Sequence, residues 1–204
     1  MRVKTPARRE AILAVAAEVF KEMGFEGASM AEISARIGGS KATLYGYFKS
    51  KEELFVAVTH GEAKKQMEPA LAALDQEEVD DLAKTLQVFG EKAVSFLCQE
   101  STLQTHRMIV AEAGRSDIGR RFHEEGPKMG MERIAAFLKK QMAAGRLRTA
   151  DPMLATLQLC ALLDCETVKP MMLGLETSIS RPRMKRMVGR AVETFLAAYA
   201  VPAA

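Results

Sequence analysis

Within the run SKATLYGYFKSKEELF, Ser40 to Phe55, the ammonium groups of Lys41, Lys49 and Lys51 flank the hydroxyls of Thr43, Tyr45 and Tyr47. Cations at that density suit phosphates, and a hydroxyl or a methyl can meet the edge of a base, so the chemistry on offer is contact with a polyanion. The charge distribution agrees. Residues 1–51 carry nine Lys or Arg against five Glu, while the chain as a whole has 29 basic and 26 acidic side chains, which leaves 20 and 21 for the remainder. All the excess positive charge therefore sits in the first quarter. Catalytic chemistry has no comparable footing. The three His (60, 106 and 123) are not spaced with Cys or carboxylates as metal ligands, Glu124-Glu125 reads as a solvated face, and no nucleophile elbow, phosphate loop or dinucleotide fingerprint is present. The expectation is a protein that is not an enzyme, with no catalytic residue, metal or cofactor.

Positioning that cluster requires helices, and the periodicity predicts them nearly everywhere. Ile12, Val15, Ala16, Val19, Phe20 and Met23 recur at steps of three and four with Glu10, Glu18, Lys21 and Glu22 between them, which predicts an amphipathic helix over 7–23 stopped by Gly24. Ser29-Met-Ala-Glu32 has capping-box spacing and opens a short second helix with Met30, Ile33 and Ile37 on one stripe. Gly38-Gly39 ends it, and Ser40 caps a third helix in which Leu44 and Phe48 face inward. Lys41, Ala42, Thr43, Tyr45, Gly46 and Tyr47 are left for its outer face and flanks, with Lys49 and Lys51 where the chain turns into the next helix. Two short helices joined by a Gly-containing turn against a longer first helix make a helix-turn-helix, whose second member is sized for a DNA major groove. Arg2, Lys4, Arg8 and Arg9 would add phosphate or minor-groove contacts. The alternative is a helical interaction module whose helix-turn-helix contacts protein rather than DNA.

Residues 29–55, SMAEISARIGGSKATLYGYFKSKEELF, resemble the DNA-binding signature of the tetracycline-repressor (TetR) family of transcriptional regulators, with Tyr45, Phe48, Lys51 and Leu54 in their expected places. Two positions depart from it. Gly39 stands where the family usually has a small β-branched or similar apolar residue, and Gly46 where a larger aromatic or His commonly sits. Residues 107–148, RMIVAEAGRSDIGRRFHEEGPKMGMERIAAFLKKQMAAGRLR, are similar to the C-terminal domain of the AefR-like subgroup. The resemblance implies an all-α fold with a helix-turn-helix domain over 1–50 and a larger helical ligand-binding and dimerisation domain over 51–204. It also implies a double-stranded operator as partner, a small-molecule effector and a homodimer acting as a repressor.

Helical patterns beyond residue 51 run through 51–73, 79–99, 102–114, 117–145, 152–174 and 181–200, with a break at Gly126-Pro127 and an Ala-rich end, AAYAVPAA, that is expected to fray. Ala155, Leu159 and Leu162 form one apolar stripe and Val188, Val192, Phe195, Leu196 and Tyr199 another. These stripes predict a dimer seam built as a four-helix bundle, unless they face the chain's own core. The pocket implied by the resemblance would draw on Phe89, Phe96, Met108, Phe122, Phe137 and Met171, with His106, Glu112, His123 and Asp164 as polar contacts. The start, MRVKTPARRE, lacks an apolar signal region, no membrane span is predicted, and three Cys without a CxxC pair suit a reducing compartment, so the expected location is the cytoplasm.

Overall fold

The computed structural model describes residues 5–75 and 80–201. The chain divides into two compact units, Met1–Glu62 and Ala63–Ala204. The division falls inside a helix and beyond the boundary expected at residue 50, because Leu54, Phe55, Val56 and Ala57 are all buried. The Phe55 ring meets Phe20 edge-on and Phe25 at a tilt, each with centroids 4.9 Å apart, which makes the start of that helix part of the N-terminal core.

The first unit is built from α1 (Pro6–Gly27), α2 (Met30–Ile37), α3 (Lys41–Tyr47) and the first part of α4 (Lys51–Leu71). Thr5 caps α1 by accepting from the Arg8 amide, and Pro6 occupies the first turn, where its missing N–H costs nothing. Gly24, at φ 68°, kinks α1 where a stop is expected, and the element continues to Gly27. Ser29 caps α2 by accepting from the Glu32 amide. The Glu32 carboxylate turns away from the cap and accepts from Arg36 at 2.8 Å, and the same guanidinium reaches Glu22 of α1 at 2.6 Å. The predicted reciprocal cap is thus traded for a tie between α1 and α2. Gly38 closes α2 in the left-handed conformation, φ 66°, which an L side chain adopts only at a cost.

The second unit holds the end of α4, a 3₁₀ turn at Ala72–Leu74, and α5 (Leu82–Leu97), α6 (Glu100–Glu112), α7 (Ile118–Glu125), α8 (Pro127–Ala143), α9 (Pro152–Cys165), α10 (Val168–Met172) and α11 (Arg181–Tyr199). Its core packs α5, α8, α9 and α11 around Phe89, Val94, Phe137, Leu138, Leu159, Leu163, Val188 and Phe195. At Gly90 a Cβ would lie 2.7 Å from Val188 and 2.9 Å from Leu163, so the missing side chain is what lets α5 approach α9 and α11. The break at Gly126-Pro127 falls as expected, with Pro127 opening α8. A second break, inside the predicted 152–174 helix, separates α9 from α10 at Thr167, whose backbone leaves the helical region at φ −116° and ψ −80° while its hydroxyl donates to Leu163 O at 2.5 Å. The expected fraying does not begin at Ala197. Arg148 N donates to Tyr199 O at 2.8 Å and Val201 N to Arg146 O at 3.2 Å, while residues 202–204 lie outside the described residues. Among the described residues no sheet forms, only an isolated bridge between Leu147 and Ala200, and no helix is long and apolar enough to cross a membrane.

Candidate nucleic-acid interface

The outer face of α3 is set by what its inner face buries. Leu44 and Phe48 are each 2% exposed, which fixes the rotation of the helix and leaves Lys41, Ala42, Tyr45, Gly46 and Lys49 in solvent, with Thr43 and Tyr47 half-buried at the edges. Tyr45 is 49% exposed, a large aromatic with no packing reason to be there. Ser40 caps the helix through the Thr43 amide at 3.2 Å and shares a hydrogen bond with the Thr43 hydroxyl at 2.9 Å. A Cβ at Gly46 would touch nothing within 4 Å, so packing against this chain does not require glycine there.

Two of the predicted contact residues have an internal job. The Tyr47 hydroxyl accepts from the Thr5 amide at 2.9 Å and so joins the end of α3 to the start of α1. The Lys51 ammonium donates to Phe25 O at 2.8 Å and lies 4.2 Å from the centre of the Phe25 ring, which pins the start of α4 to the end of α1. A signal for the α3–α4 corner was present in the sequence but missed. Ser50 and Glu53 have capping-box spacing, and Ser50 accepts from the Glu53 amide at 3.1 Å while the Glu53 carboxylate accepts from the Lys49 amide at 2.6 Å. That reciprocal cap holds the exposed Lys49 at the corner. On α1, Arg9 stacks 5.3 Å from the Phe48 ring. Arg2 and Lys4 lie outside the described residues.

The residues singled out in the second unit are distributed otherwise than their stripes suggest. Ala155, Leu159, Val188, Val192, Phe195 and Tyr199 are 0–4% exposed within the single chain, so these six close its own core, and only Leu162 and Leu196 remain half-buried. What α9 exposes is Leu154 and Leu157, at 51% and 47%, one helical turn before Gln158 and Ala161, which line a groove of about 350 Å³ together with Leu162, Cys165, Thr194 and Ala198. Of the predicted pocket residues, Phe89 and Phe137 belong to the core and Met171 to a smaller cluster with Leu103 and Val168. Phe96, Met108 and Glu112 are half-buried, and His123 is exposed. His106 and Phe122 do meet, edge to face at 5.4 Å, and burial holds the His106 imidazole below its ordinary value. Burial lifts the Asp164 carboxyl to about 6, and burial together with the Asp164 charge lifts the thiols of Cys98 and Cys160 to about 11. Thiols so reluctant to ionise are poor nucleophiles. No group of three or more metal-ligating side chains is gathered among the described residues.

Comparison with known proteins decides the family. Residues 12–58 match the family described as bacterial regulatory proteins, tetR family, and residues 84–201, more than half of the chain, match the AefR-like transcriptional repressor C-terminal domain. The chain belongs to the TetR family. Within it, the chain is similar to a protein of known structure described as a TetR-family transcriptional regulator from Mesorhizobium loti, 28% identical with a TM-score of 0.81 over 97% of this chain and 100% of that one. It is likewise similar to the flavonoid-responsive regulator FrrA, 29% identical with a TM-score of 0.73 over 98% and 100%. The HTH-type transcriptional activator FasR of Mycolicibacterium smegmatis is 46% identical over 57 residues, 28% of this chain and 26% of FasR. The match thus spans about a quarter of that relative's length. This TetR-family chain has an N-terminal helix-turn-helix and a helical C-terminal part, and its fold is all-α.

Proposed function

We propose that this TetR-family regulator binds a double-stranded DNA operator through α3 as a homodimer and acts as a repressor that a small-molecule effector releases. The observation that carries the reading is the exposed face of α3. Lys41, Thr43, Tyr45 and Lys49 stand on a helix anchored from behind by Leu44 and Phe48, and a groove about 12 Å wide admits one such helix. Two-fold pairing supplies the second α3 for the other half-site. It is supported by the exposed Leu154 and Leu157 of α9, one helical turn before residues that line an apolar groove of α9 and α11, a surface that a solitary chain would leave wet. Repression is favoured by the AefR-like repressor match. FrrA's response to flavonoids makes phenolic effectors the first class to test, with the half-buried His106–Phe122 pair and the half-buried Asp164 as candidate contacts. An effector acts here only by preferring the dimer state that misplaces the two α3 helices, so ligand affinity and DNA release are linked.

The test is fluorescence anisotropy of the full-length protein on a duplex recovered by selection from random sequence, with a scrambled duplex beside it, across a salt series. The reading expects preference for the selected duplex, two chains or a multiple per site, and affinity that falls steeply with salt. Equal and salt-insensitive signals on both duplexes would turn the reading toward a helix-turn-helix that contacts protein.

A further inference from the structure

The turn between α2 and α3 holds two glycines with different reasons to exist. Gly38 needs glycine for its positive φ, but Gly39 does not, since it lies outside the left-handed region. Its reason is spatial. A Cβ built on Gly39 would lie 2.9 Å from an Nη of Arg8, so the guanidinium occupies the volume that the family's usual apolar side chain would fill. Arg8 reaches this point from the first turn of α1 and lines a crevice with Ile12, Ser34, Gly39, Ser40 and Thr43. The turn is held open for it, because the Ser34 hydroxyl donates to Gly39 O at 2.9 Å and fixes that peptide. Among the described residues Arg8 pairs with no carboxylate, and no acceptor takes its guanidinium hydrogen bonds. A rigid cationic fork is thus lodged beside Ser40 and Thr43, the first turn of α3, with its donors unmet.

We propose that Arg8 clamps a DNA phosphate at the helix-turn-helix and that Gly39 is the positioning residue that makes room for it. The inference rests on the DNA-binding reading above and deepens it. Guanidinium suits the task because its planar donors match phosphate oxygens two at a time. Gly39→Ala is then a mild perturbation with a specific effect. The atom in its way is the far end of a flexible side chain, which can swing aside without disturbing the fold.

The experiment is a double-mutant cycle of Arg8→Ala and Gly39→Ala in the full-length protein, read as affinity and salt slope on the selected duplex, with thermal unfolding measured in parallel. Removing one phosphate contact should lower the magnitude of the log–log salt slope by about one unit and weaken binding several-fold. Gly39→Ala should reproduce part of both changes with its unfolding midpoint within a few degrees of wild type, and should add nothing further in the Arg8→Ala background. Arg8→Lys should restore the slope more than the affinity, since it keeps the charge and loses the fork. If wild type binds with a steep salt dependence and Arg8→Ala leaves the slope unchanged, this inference fails alone. Effects of the two substitutions that multiply independently would also overturn it, and absence of salt-dependent binding by wild type would remove the DNA-binding reading beneath it.

Discussion

Gly46 sits in the last turn of a seven-residue helix with open space where a Cβ would be. Its cost is one of backbone entropy alone, so Gly46→Ala should stabilise the protein by about 0.5–1 kcal/mol in urea denaturation. A loss of stability would mean that the Gly46 Cβ position is not open. Asp164 makes the opposite kind of residue-scale statement. Its folded-state carboxyl lies at about 6, above the ordinary value near 4, so ionisation is penalised in the folded protein. The sign follows: at low pH the group is neutral in both states and costs nothing, the penalty grows as pH rises from about 4 to about 6, and it is constant above that. Asp164→Asn should therefore be more stable than wild type at pH 7 by on the order of 1–3 kcal/mol, with the difference shrinking as pH falls through that window. A difference independent of pH would show that the carboxylate is solvated or paired.

At the scale of elements, the orientation of α3 depends on ties that are not on its own outer face. The end of α3 is fixed to the start of α1 through Tyr47 and Thr5, and the start of α4 to the end of α1 through Lys51 and Phe25. The signature lysine is thereby a structural cation as well as a candidate phosphate contact. Lys51→Met should lower stability by about 1–2 kcal/mol through loss of a charged hydrogen bond and a cation–π contact, whereas Lys49→Ala, exposed at the corner, should stay within about 0.5 kcal/mol of wild type. Denaturant midpoints would separate the two, and equal effects would contradict the assignment. The Gly90 crossing is a second element-scale dependency. A methyl there collides with Val188 and Leu163, so the helix-propensity gain of an alanine is outweighed by overpacking.

For the whole molecule, the proposed assembly is the property on which function turns, because one α3 reads only one half-site. Leu157, 47% exposed and one helical turn before Ala161 of the groove, sits at the middle of α9, and a charge there would be buried by a partner but harmless to a lone chain. Leu157→Glu should give a folded monomer of unchanged helical circular dichroism in light scattering at micromolar concentration, with cooperative operator binding lost. A dimer that survives the substitution would move the seam to another face.

The order of helices, the inward Leu44 and Phe48, the caps at Ser29 and Ser40 and the break at Gly126-Pro127 were legible in the sequence, because helix period, capping and proline act over a few residues. Local rules also marked which face of α3 is outward. They were silent wherever a residue's neighbour is distant in the chain. Val188, Val192 and Phe195 have the same spacing whether they face a partner or their own core, and only the packing of α11 on α5 and α9 assigned them to the latter. Gly39 was visible as a departure, yet its reason lies 31 residues away, in the guanidinium of Arg8. Periodicity states that a face is apolar and spacing states that a cation is near a corner; what each meets is a matter of excluded volume and donor geometry, which exist only once the helices have packed.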